Sequence, residues 1–151
     1  MLLELRKHDG AMEEIEVLRG GFACEIATAF DWDAERRRFE QLEVSGGECY
    51  LPCIAFTDNA GRTLEFGPNS DDSFWVAYRY AILKSSFGFF PVSHQVEQQL
   101  EACLMHAALE LLESHYLGKH AEIVTALPAE GPRDTGLGDE GDSDPSVQIG
   151  P

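Results

Sequence analysis

Positive charge is scarce in this chain. Eleven lysines and arginines stand against 27 aspartates and glutamates, a formal net charge of −16 over 151 residues. A surface of that sign repels phosphate backbones and anionic lipid headgroups, so direct nucleic-acid binding and membrane attachment are not expected. The one basic run, Arg36-Arg37-Arg38, is flanked by Glu35 and Glu40 and is neutralised locally. Long apolar runs are missing as well. No stretch approaches the roughly 20 apolar residues that a membrane-spanning helix needs. The opening MLLELRKHDG is charged by position 4 and lacks the apolar centre of a secretory leader. With no leader, the four cysteines (Cys24, Cys49, Cys53 and Cys103) are expected to be reduced thiols in a cytoplasmic protein.

Signatures of chemistry are equally thin. There is no phosphate-binding loop, no dinucleotide fingerprint and no His-Glu-x-x-His. Cys49 and Cys53 form a C-x3-C pair without a second pair to complete a zinc site. On a strand they would lie about 13 Å apart unless Pro52 bends the chain. They read as small apolar fillers, as do Cys24 and Cys103. The histidines, His8, His94, His106, His115 and His120, show no metal-ligand spacing. Asp31 and Asp33 suit a turn, and Asp71-Asp72 suits a helix N-terminus, so neither carboxylate pair needs a catalytic reading. No catalytic residue, metal or cofactor is expected.

What the sequence does contain is a core. Hydrophobic residues make up 44% of the chain, enough for one folded domain, taken as residues 1–127. The first half reads as β. Leu3 and Leu5 alternate with charged residues, HDGA turns, and Ile15 and Val17 mark a second strand. FACEIATAFDW places Phe22, Cys24, Ile26, Thr28, Phe30 and Trp32 on one side at period two, so residues 22–32 are expected to be a strand. Asp33 would open a turn into RRFEQLEVS, a returning strand ending at Gly46-Gly47. CYLPCIAFT, the turn DNAG and RTLEFG complete a meander of about six strands.

The stretch FGPNSDDSFWVAYRYAILKSSFGFF, residues 66–90, holds eight aromatic residues. Period two would align Phe74, Val76, Tyr78, Tyr80 and Ile82 on a strand. Asn69 or Ser70 as a cap, with Asp71 and Asp72 at the positive end of the dipole, favours an apolar helix instead. A second helix is expected over 93–117, with Ser93 as N-cap and Gly118 just past its end. HAEIVTAL then suits a last edge strand. From Pro128 to Pro151 the chain holds five glycines, four prolines and six acids against one arginine, so 128–151 is expected to be a disordered acidic tail. The tail carries −5, leaving −11 on residues 1–127. The fold class expected is therefore α+β: an antiparallel meander of about six strands, with two helices of the C-terminal half packed on one face.

Three functions follow. The first is a binding module that engages a basic protein partner as an inhibitor, an immunity-type neutraliser or a chaperone. Its contact would be carboxylates on exposed strand faces: Glu13, Glu16, Glu25, Glu40, Glu43, Glu48 and Glu65. The second is a small-molecule or enzymatic cleft around Trp75, Tyr78, Arg79 and His115. The third is a structural component that forms a homodimer or larger oligomer through the aromatic helix.

Overall fold

The computed structural model describes residues 1–18, 20–86 and 90–128, of which 84–86, 90 and 91 are described in backbone only. The tail expected to be disordered, 128–151, lies outside the described residues except for Pro128. The chain is α+β. Among the described residues ten elements follow one another: β1 (Leu2–Arg6), β2 (Met12–Glu16), α1 (Gly20–Ala29), α2 (Trp32–Ser45), β3 (Cys53–Thr57), β4 (Thr63–Pro68), β5 (Phe74–Ser86), β6 (Phe90–Cys103), α3 (Met105–Tyr116) and α4 (His120–Ala126). The six strands form one antiparallel sheet in the order β2-β1-β3-β4-β5-β6. Among the described residues no helix is long and apolar enough to cross a membrane.

The sheet has two unlike faces. Leu3, Leu5, Ile54, Phe56, Leu64, Phe66, Val76, Tyr78 and Tyr80 are buried on one face. There they join Ala23, Ala27, Trp32, Ala108, Leu112, Ile123 and Leu127 from the helices in one core. Trp32 of α2 sets its ring 5.8 Å from Phe66 and 5.5 Å from Phe74. Fully burying one such side chain contributes about 1.5–3 kcal/mol. The other face carries the alternate residues, among them Glu4, Arg6, Ala55, Thr57, Thr63, Glu65, Ala77, Arg79 and Glu97.

Five assignments made from the sequence are corrected. Residues 22–32 are not a strand: 22–29 lie in helix α1 and Trp32 begins α2. Ala23, Ile26 and Ala27 recur at helical spacing as the buried or half-buried side of α1, with Phe30 just past its end, and the alanines let it pack closely on α3. The supposed return strand is α2. Asp31 Oδ1 accepts the Ala34 amide at 3.0 Å, and Gly46, at φ 72°, returns its amide to Glu43 O. The same Asp and Gly that suggested turns are helix caps.

The aromatic segment, in turn, is the strand β5. Asn69, Asp71 and Ser73 do not cap a helix; they close a turn in which Asn69 N donates to Ser73 O at 2.8 Å. Asp72 sits there at φ 63°. Residues 93–103 extend β6, so only the last half of the expected helix, α3, is helical. β5 and β6 pair along their length, and the register slips between Phe74 and Val76. Val96, Gln98 and Leu100 face the core although this segment has good helix formers, so pairing with β5 overrides local preference. HAEIVTAL is a helix, α4, and not an edge strand. Gln98 secures its end, donating from Nε2 to the carbonyls of Val124 and Leu127, each at 3.3 Å.

Candidate functional site

The four residues expected to share a cleft are separated by the sheet. Alternation along β5 sends Tyr78 to the helix side and Arg79 to the open side; Trp75 lies against Gly67. His115 joins Tyr78, with ring centroids 5.6 Å apart. A single cleft around Arg79, Tyr78 and Trp75 is therefore not formed. The apolar helix expected to carry an oligomer contact does not exist either, since its aromatic residues are inside strand β5.

On the helix side, Tyr78 is fully buried, and its Oη lies 3.0 Å from His120 Nδ1. Burial pushes the Tyr78 phenol up, and burial pulls both His115 and His120 down, so both imidazoles are held neutral. His115 Nε2–H then donates to Phe56 O at 3.0 Å. This cluster ties α3 and α4 to the sheet. A phenol with no solvent exposure is out of a substrate's reach, so its chemistry is structural. Beside it is a hollow of about 480 Å³, lined by Val17, Leu18, Asp58, Arg62, His115 and Tyr116. Its charges are already matched, since Arg62 and Asp58 pair at 2.6 Å.

On the open side, Arg79 bridges two carboxylates, Glu65 at 2.7 Å and Glu97 at 2.8 Å. Glu65 also accepts from the Cys53 thiol at 3.1 Å. Burial first, and then Glu65, push that thiol up to about 12, so Cys53 is not a nucleophile at neutral pH. Trp75 has a buried indole N–H without an acceptor among the described residues. A hollow of about 370 Å³ lies beside it, lined also by Leu51, Asn69, Gln99 and Glu101. Among the described residues no group of three or more His, Cys, Asp or Glu is placed to hold a metal ion.

The acidic residues divide by what they meet. Glu65 is buried, at 6% exposure, so it is no surface contact. Glu13 pairs with Lys7 at 2.5 Å, and Glu48 accepts from Tyr50 at 2.6 Å. Glu25 lies on α1, Glu40 and Glu43 lie on α2, and Glu48 precedes β3, so the seven do not share a strand face. Buried Glu35 takes hydrogen bonds from the His8 amide and imidazole and pairs with Arg38 at 2.8 Å. Burial alone would raise its carboxyl, but those contacts outweigh it and hold the group below the ordinary range.

At the corner made by β1, β2 and α1, several acids have no salt bridge among the described residues. In the β1–β2 hairpin Glu4 stands directly opposite Glu14, and Glu16 is two residues further along the same face. Like charges in that position repel. Glu4, Glu14, Glu16 and the nearby Glu25 make no salt bridge among the described residues, and neither does Arg6, the basic residue on that face of β1. Glu16 and Glu25 flank a groove of about 430 Å³ whose other walls are Leu18, Gly21 and Phe22. Leu18 is 77% exposed and Phe22 46%. The groove is held in shape: the Tyr116 hydroxyl donates to Leu18 O, and Gly20 packs against the Tyr116 ring. Phe22 does not stand out in the sequence because period two groups it with Cys24 and Ile26 on one side of a strand. Glu4 and Glu14 were missed because their opposition appears only once the hairpin register is known. No protein-family model, curated protein or solved structure matches this chain.

Proposed function

We propose that the protein is a binding module that engages a basic partner protein, in the manner of an inhibitor, an immunity-type neutraliser or a chaperone, through the corner made by β2 and α1. One observation carries the reading. Glu4, Glu14, Glu16 and Glu25 make no salt bridge among the described residues, and Glu16 and Glu25 flank a groove whose leucine and phenylalanine are exposed. Apolar anchors ringed by one sign of charge suit a partner with a positive rim and an apolar centre. Of the carboxylates first expected to make the contact, Glu16 and Glu25 belong to this corner, and Glu40 and Glu43 lie on α2 apart from it.

The test is affinity capture from lysate of the source cell at low salt, run in parallel with a Glu14→Lys/Glu16→Lys/Glu25→Lys variant. A basic protein retained by the native chain, released by salt and absent from the variant is the expected result. Equal retention by both chains would remove this corner from consideration.

A small-molecule site is the second reading, favoured by one observation: the Trp75 indole N–H lacks an acceptor beside an open hollow. A ligand that raises the melting temperature of the native chain but not of Trp75→Phe would establish it. A metabolite panel that gives no such difference removes it.

A further inference from the structure

We infer that the partner is bound as a seventh strand: a basic, extended segment adds to the outer edge of β2. This rests on the reading above and names its mode.

β2 is the end of the sheet, with β1 on one side and no strand on the other among the described residues. Antiparallel pairing turns alternate residues toward the neighbour and away from it. Two bonds fix the phase here. Lys7 N donates to Ala11 O at 2.9 Å, and Val17 N donates to Met1 O at 3.0 Å. Odd-numbered residues of the second strand therefore spend their backbone groups on β1. Met12, Glu14 and Glu16 aim their N–H and C=O outward, in steps of about 6.8 Å. That is the spacing an incoming strand needs.

The side chains select the occupant. Beside the free backbone groups of Glu14 and Glu16 lie their own carboxylates and that of Glu4, none with a salt-bridge partner among the described residues. A second copy of β2 would bring Met-Glu-Glu-Ile-Glu against itself, so the charges that discourage self-pairing also rule out this chain as the occupant. A strand with lysine or arginine on that face relieves the Glu4–Glu14 repulsion. At the end of β2 the same strand meets the groove of Leu18 and Phe22, where an apolar residue is accommodated between Glu16 and Glu25.

The probe is a labelled ten-residue peptide that alternates lysine with valine and ends in leucine, titrated by fluorescence anisotropy against the full chain at low salt. Two further peptides carry backbone N-methyl groups on every second residue, one in each phase. Strand addition predicts at least a tenfold loss of affinity for one methylated phase and little change for the other. It also predicts at least tenfold slower amide exchange at Glu14 and Glu16 in the complex, and a tenfold or greater loss for Glu14→Lys/Glu16→Lys. Binding that responds to charge reversal but not to N-methylation, with no slowing at Glu14 and Glu16, overturns the strand mode and leaves the acidic-corner reading standing. Binding indifferent to both, or no binding of any peptide by a chain that captures no basic protein either, overturns both. Failure of every peptide alongside capture of a folded partner overturns the strand mode alone, as does self-association through β2 in sedimentation.

Discussion

Arg79 offers the sharpest check on the sheet's open face. Glu65 is 6% exposed and lies 2.7 Å from Arg79 and 3.1 Å from the Cys53 thiol. Two unit charges about 4 Å apart attract by about 4 kcal/mol at an effective dielectric near 20. The Arg79 side chain is 47% exposed, so solvent screening reduces its net share to about 1–2 kcal/mol. Removing it leaves a buried carboxylate whose remaining partner is a weak thiol donor, which adds to the loss. Arg79→Met keeps the packing of the stem and should cost about 2 kcal/mol, lowering the melting temperature by roughly 6–10 °C for a domain of this size. Glu65→Gln and the double variant complete a cycle. Because the two groups touch, the coupling should be at least about 1 kcal/mol. Urea unfolding followed by the fluorescence of Trp32 and Trp75 measures all four chains. A loss under about 0.5 kcal/mol for Arg79→Met, or single effects that simply add in the double variant, would refute this account of the face.

Three further outcomes are expected. His115 and His120 titrate lower in the folded chain than their unfolded value of about 6.5, because burial disfavours their charged forms. Their contribution is therefore complete above that value and is lost as pH falls below it through the folded values, so the urea midpoint should drop between pH 7 and 5, and less so in His120→Gln. Cys53 should resist alkylation in the native protein at pH 8 while half-exposed Cys49 reacts, as read by peptide mass mapping; early labelling of Cys53 would contradict its burial. A methyl group at Gly67 would sit 2.5 Å from the Pro52 carbonyl oxygen and 3.0 Å from the Trp75 ring. Gly67→Ala should thus destabilise by about 1–3 kcal/mol in the same unfolding assay, and a neutral result would contradict the close approach of these strands.

The parts of the fold legible in the sequence are those fixed by neighbours along the chain. The β1–β2 and β3–β4 hairpins follow from their turns: Gly10 at φ 78°, and Asp58 accepting from the amides of Ala60 and Arg62. The end of α3 at Gly118, φ 71°, was equally plain. Where two periods fit the same residues, distant pairing decided. Phe22, Cys24 and Ile26 satisfy period two, yet Ala23 and Ala27 are the residues α3 buries. Ser93 to Cys103 would make a good helix alone, but β5 presents a long edge that claims it. The candidate corner was half legible. Glu16 and Glu25 were named from charge alone, while Glu4, Glu14, Leu18 and Phe22 needed the hairpin register and the true identity of α1 to come together.

The place of β1 in the sheet also bears on how the chain assembles. From β3 to β6 every strand meets its successor, so that part closes through short connections. β1 joins β3 only after α1 and α2 intervene, with Leu5 opposite Ile54, about 50 residues away. Closing so long a loop costs more entropy than forming the local hairpins. The four-strand part should therefore be present in the folding transition state, with the first hairpin arriving afterwards. Leu3→Ala should then speed unfolding and leave refolding almost unchanged, whereas Leu64→Ala should slow refolding; stopped-flow rates showing the reverse would place the first hairpin in the nucleus.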